Sequence, residues 1–217
     1  MYQYVIFDLD GTILNTIDDL ADAGNRVCRN HGWPTHSVED YKRYVGTGMT
    51  RLVERFVPEG WRTPEKVREI LDDFMPDYSA HKADKTAPYA GMSECLNHLK
   101  AAGVSMAVLT NKADEVAGPV LEHYYPGVFP IVQGALPGVP VKPDPALLHR
   151  LMERMGATAE ETLFVGDSDV DIQTAKNGGL TSCGVLWGFR GREELEAEGA
   201  DYLAESAQAL SNLILGK

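Results

Sequence analysis

Cysteine is scarce in this 217-residue chain: Cys28, Cys95 and Cys183 are far apart and form no CxxC pair. That spacing suggests neither a zinc site nor a disulfide framework, so the thiols read as small buried hydrophobes. Positive charge is short as well, with 20 Lys and Arg against 32 Asp and Glu and a net charge of -12. A face that holds nucleic acid or anionic lipid needs clustered cations, so neither partner is expected and any anionic ligand must be met by a few local groups. No apolar run approaches the roughly 20 residues that span a bilayer. Met1 to Asp10 lacks the charged, apolar and small-residue order of a signal peptide, which makes the cytoplasm the expected compartment. Repeats and low-complexity tracts are also missing.

What is present is a hydrophobic content of 44%, ample for a sizeable core. Short apolar runs recur at Tyr4 to Phe7, Val104 to Leu109, Phe129 to Val132, Thr162 to Val165 and Thr181 to Leu186. They read as buried parallel strands. Helical patterns lie between them at Met92 to Ala102, Ala113 to His123, Pro145 to Met155 and Val170 to Asn177. The alternation predicts an α/β fold, a doubly wound, Rossmann-like parallel sheet. Residues 15–85 break the rhythm with three helical segments, Ile17 to Asn30, Val38 to Phe56 and Pro64 to His81, and no strand. We read them as an inserted all-helical domain, leaving 1–14 and 86–217 as a discontinuous core joined to it by two nearby linkers. The tail from Arg190 reads as two helices around a short strand at Asp201 to Leu203.

Ligands of open α/β sheets bind beyond the carboxyl ends of the strands, and four runs end in reactive groups. The first gives Asp8-Leu9-Asp10-Gly11-Thr12, in which alternation turns both carboxylates to one side. Such a pair needs a cation or a proton. The second gives Thr110-Asn111-Lys112 at the turn into a helix, where free N–H groups favour an anion. Lys142-Pro143-Asp144-Pro145 follows the third strand; Asp144 suits an N-cap and Pro145 the first helical position, while Lys142 would supply a fixed ammonium. The fourth ends in Gly166-Asp167-Ser168-Asp169-Val170-Asp171, hard oxygen ligands of the kind magnesium takes, with Asp8, Asp167 and the backbone carbonyl of Asp10 as the candidate set. Asp169 is expected to face solvent at the helix start.

These four fragments, in this order, resemble the motifs of the haloacid dehalogenase-like hydrolase superfamily, and the helical insert resembles the cap of its phosphoglycolate phosphatase-like branch. The resemblance implies a phosphoric monoester hydrolase using Mg2+ and an aspartyl-phosphate intermediate. Asp8 would be the nucleophile and Asp10 the general acid and then base. Thr110 and the Asn111 amide would hold phosphoryl oxygens, Lys142 would offset charge, Asp167 would bind metal, and Asp171 would orient Lys142 or a metal-bound water. Thr12 would hydrogen-bond around Asp10. Within the cap, Gly46 to Arg51 is the segment expected near substrate, Gly48 letting backbone approach and Arg51 pairing with a carboxylate or second phosphate. Trp187-Gly188-Phe189-Arg190 either edges the pocket or packs under the last helices. Two other outcomes stay open: a phosphomutase of the β-phosphoglucomutase type, and a non-catalytic phosphate-binding regulatory protein. A small phosphorylated metabolite is the expected partner, for a monomer or a homodimer.

Overall fold

The computed structural model describes residues 1–217. In chain order the elements are β1 (Tyr4–Phe7), β2 (Leu14–Asn15), α1 (Ile17–Asn30), α2 (Val38–Tyr44), α3 (Met49–Phe56), α4 (Pro64–His81) and β3 (Ala87–Pro88). There follow α5 (Met92–Ala101), β4 (Ser105–Ala113), α6 (Asp114–Tyr124), β5 (Ile131–Ala135), α7 (Ala146–Met155), β6 (Thr162–Gly166) and α8 (Asp169–Asn177). β7 (Thr181–Val185), α9 (Arg192–Ala197), β8 (Tyr202–Ala204) and α10 (Ala207–Leu215) complete the chain. No helix is long and apolar enough to cross a membrane.

Six strands form one parallel sheet in the order β5-β4-β1-β6-β7-β8. Strand alternation sends Val5 and Phe7 to one face and Ile6 to the other, so each face has its own core. Ile6, Ala107, Leu109 and Phe164 pack on Leu147, Leu148 and Leu151 of α7. Phe7, Val108 and Val165 belong to a larger cluster that runs on without a break into Tyr41 of α2, Phe56 of α3 and Phe74 and Tyr78 of α4. That continuity positions the helices α1 to α4 over the sheet, with α3 in contact with β4.

Three local features depart from the sequence expectation. The segment Val38 to Phe56 is two helices, because Val45 is extended (φ -75°, ψ 157°) and Gly46 and Gly48 take φ of 117° and 92°. Left-handed backbone of this kind ends a helix. The two linkers are themselves paired, Leu14–Asn15 antiparallel to Ala87–Pro88. Buried Asp19 fixes that junction by accepting from Lys85 N (2.9 Å), Thr86 N (2.8 Å) and Thr86 Oγ1 (2.8 Å). Finally α7 starts one residue late: Pro145 is its N-cap, and Asp144 accepts from Ala146 N at 2.9 Å. All three cysteines are buried and free.

Candidate active site

β1 lies between β4 and β6, which brings the carboxyl ends of three strands together. Asp8 follows β1 and Asp167 follows β6. Thr110, Asn111 and Lys112 sit in the last turnings of β4, where its register with β5 shifts between Leu109 and Ala113. A bulge at a strand end re-aims side chains, and here all three line one cavity with Asp8, Asp10 and Asp167.

The Asp8 side of this cavity is crowded with carboxylates. Lys142 Nζ donates to Asp8 Oδ1 at 2.8 Å and to Asp171 Oδ1 at 2.6 Å. Asp171 Oδ2 accepts from Ser168 N (3.1 Å) and Oγ (2.6 Å), so the first turn of α8 fixes the acid that fixes the lysine. Asp167 Oδ2 accepts from Phe189 N at 2.7 Å and Oδ1 from Thr12 Oγ1 at 3.4 Å. Asp8, Asp167 and Asp171 are all buried and offer oxygens within 4.8 Å of one another. With Lys142 as the one ammonium bonded among them, two negative charges are left unmatched.

Protonation equilibria reflect that imbalance. Burial pushes the Asp8 carboxyl up to about 7, outweighing the pull of Lys142. Asp167 is held well above the usual carboxylate range, by burial first and then by Asp171 and Asp8. Burial alone would lower Lys142, but Asp171 and Asp8 reverse this and raise it. Buried surplus charge made entirely of hard oxygen donors fits a divalent cation such as magnesium.

Asp10 sits differently. Lys112 Nζ donates to its Oδ1 at 2.8 Å and Oδ2 at 2.9 Å, and Thr16 Oγ1 donates to Oδ1 at 2.7 Å. This pair is balanced, one charge against one.

The other expected residues divide into those gathered here and those that are not. Asn111 lines the cavity, but its side chain is occupied in holding Lys142, accepting from Lys142 N at 2.9 Å and donating to Lys142 O at 3.0 Å, and in reaching Gly46 O at 2.9 Å. Thr12 bonds to Asp167 and not around Asp10, whose hydroxyl partner is Thr16. Gly48 lines the cavity at the start of α3. Arg51 does not: its side chain is 65% exposed, pairs with Glu54 at 2.5 Å, and faces an outer groove of about 760 Å³ that meets the inner cavity at Gly48, Met49 and Asn111. Asp169 is half-buried at the start of α8.

The loop after β7 edges the pocket. Phe189 and Arg190 line the cavity, Trp187 Nε1 donates to Thr12 O at 2.9 Å, and Arg190 donates to Lys42 O and to Val45 O (3.0 Å), bonding this core loop to the end of α2. A side chain at Gly188 or at Gly11 (φ 87°) would overlap Asp167. Sequence reasoning assigned no role to Lys112 or Thr16. Lys112 carried no signal, because the register shift of β4 against β5 that aims it at Asp10 has no hydrophobic signature. Thr16 carried no signal of its own, since the bond spans a linker turn.

The sequence profile described as haloacid dehalogenase-like hydrolase matches residues 5–185. A phosphoglycolate phosphatase from Vibrio parahaemolyticus is 34% identical, the match covering 98% of this chain and 96% of that one. A phosphoglycolate phosphatase from Pseudomonas putida is 35% identical over 96% of this chain and 78% of its own. A crystal structure from Lactobacillus delbrueckii subsp. bulgaricus, of a protein given that name provisionally, is 32% identical, with a TM-score of 0.93 over 100% of this chain and 99% of that one.

Proposed function

We propose, from the premise that this chain belongs to the haloacid dehalogenase-like hydrolases and is a phosphoric monoester hydrolase, that it is a magnesium-dependent phosphatase acting through an aspartyl-phosphate on Asp8. The observation that carries this reading is the triple carboxylate around Lys142. Asp8, Asp167 and Asp171 converge within 4.8 Å at the end of a central strand, with one ammonium bonded among them. A structural ion pair has no use for the surplus, whereas a phosphoryl-transfer site does.

In the first half-reaction an Asp8 oxygen attacks phosphorus, the bond to the leaving oxygen breaks, and protonated Asp10 gives its proton to that oxygen. In the second, a water attacks phosphorus while the Asp10 carboxylate takes its proton, and the Asp8–phosphorus bond breaks. Thr110 lines the same cavity and would hold a phosphoryl oxygen, and Lys142 offsets the charge of Asp8. Asp8 and Asp167 would hold Mg2+, with the Asp10 carbonyl, and the ion would neutralise charge on the phosphoryl oxygens. Asp171 acts through Lys142, whose Nζ it bonds at 2.6 Å.

For substrate we infer a small monoester of the phosphoglycolate type. The support is the shared name of two curated relatives matched over nearly all of this chain. Residues 15–85 act in this reading as a cap that closes over the substrate. The test is a panel of phosphoglycolate, sugar phosphates, nucleoside monophosphates and pyrophosphate assayed with magnesium and with chelator. We expect kcat/KM to be highest for phosphoglycolate and phosphate release to stop in chelator; a preference for nucleotides or metal-independent release would overturn the respective part.

A further inference from the structure

Lys112 is an expensive residue to bury. Its side chain is 0% exposed, it comes from the core strand β4, and its Nζ lies 5.0 Å from the ring centre of Tyr78, a fully buried residue of α4. An ammonium removed from water must be compensated, and here the compensation is one carboxylate and one aromatic face. Because both Asp10 oxygens are bonded to it, the carboxylate is fixed in its plane as well as in its position. The one-to-one match leaves Lys112 no charge to offer a phosphoryl group, a task for which Lys142 is already placed.

We propose that Lys112 is a positioning residue: it holds the Asp10 carboxylate aimed for proton abstraction from the attacking water, and through Tyr78 it makes that aim depend on where α4 sits. The proposal rests on the reading of Asp10 as acid and base. It assigns Lys112 no contact with substrate and no proton transfer. A lysine acting in this way affects one half-reaction, the hydrolysis of the phosphorylated Asp8, more than the other whenever the leaving group can depart without a proton.

That asymmetry supplies the experiment. With an aryl phosphate, whose phenolate leaves unprotonated, kcat/KM reports transfer to Asp8 and kcat includes hydrolysis of the aspartyl-phosphate. For Lys112→Met we expect kcat to fall roughly tenfold or more beyond any fall in kcat/KM, a fraction of the full value of a general base. In an Asp10→Asn background the same substitution should have no further effect on kcat, since the residue it positions is gone. Equal falls in kcat and kcat/KM, or a full additional loss in the Asp10→Asn background, would overturn the proposal. Should Lys112→Met fail to fold by circular dichroism, Tyr78→Leu takes its place, with a smaller kcat-selective loss of about threefold expected; an unchanged kcat there overturns the link to α4. Failure of the underlying phosphatase reading looks different: the unaltered protein releases no phosphate, or Asp10→Asn alone costs nothing.

Discussion

Two buried lysines at the carboxyl end of the same sheet face opposite situations. Lys142 meets Asp8 and Asp171 with Asp167 close by, whereas Lys112 meets Asp10 alone. Both ammonium groups are raised above their ordinary values, because neighbouring carboxylates outweigh the effect of burial. The difference is in the remainder. The Lys142 side keeps surplus negative charge that only a cation or protons can settle, and the Lys112 side is neutral as it stands. The unmatched side is where phosphorus would be attacked and a cation held, and the matched side is where the acid and base, Asp10, is kept in position.

If that contrast is right, the largest losses come from the unbalanced side. Asp8→Asn removes the nucleophile at little change in volume, and magnesium-dependent phosphate release from an aryl phosphate should fall at least about a thousandfold at matched folding. Lys142→Met should cost about a hundredfold or more in kcat, since it takes away charge stabilisation and leaves Asp8 and Asp171 facing each other without a cation. Asp167→Ala should raise the magnesium concentration needed for half-maximal rate by about tenfold or more, read by metal titration.

A thermal measurement sharpens the comparison without turnover. The Asp8 carboxyl, ordinarily near 3.8, stands at about 7 in the folded chain. The folded state therefore keeps a proton that the unfolded state releases, so this group's contribution to stability is present below its ordinary value and is lost as pH rises through about 7. Magnesium should relieve the repulsion that replaces it. The gain in Tm on adding magnesium is thus expected to be larger at about pH 8 than at about pH 5; an equal gain at both would argue against surplus charge at Asp8. The smallest effect is at Arg51, exposed and paired with Glu54, where Arg51→Ala should change kcat/KM by about twofold or less.

Much of this was legible in the sequence, and the reason is physical. Each strand is a short apolar run followed by polar residues, so Asp8, Thr110 and Asp167, each just past such a run, could be placed by counting, and Lys142 was marked by the proline that follows it. How far β4 runs on past Thr110 could not be counted, because a register shift has no hydrophobic signature, and this hid Lys112. Between β2 and β3, the continuous pattern from Val38 to Phe56 concealed the break at Gly46 and Gly48, since amphipathic periodicity persists across a short turn. Contacts that cross from one element to another, such as Arg190 to Val45 O or Thr12 to Asp167, depend on how the helices α1 to α4 seat on the sheet. No local pattern encodes that.

The central claim is covalent transfer to Asp8, and it can be tested directly in the Asp10→Asn variant. With an aryl phosphate and magnesium, the leaving group needs no acid, but the water has lost its base. Acid quench followed by peptide mass spectrometry should find one phosphoryl group per chain, on the peptide carrying Asp8. Release of the phenol with Asp8 unmodified, or phosphoryl on any other residue, would contradict the account.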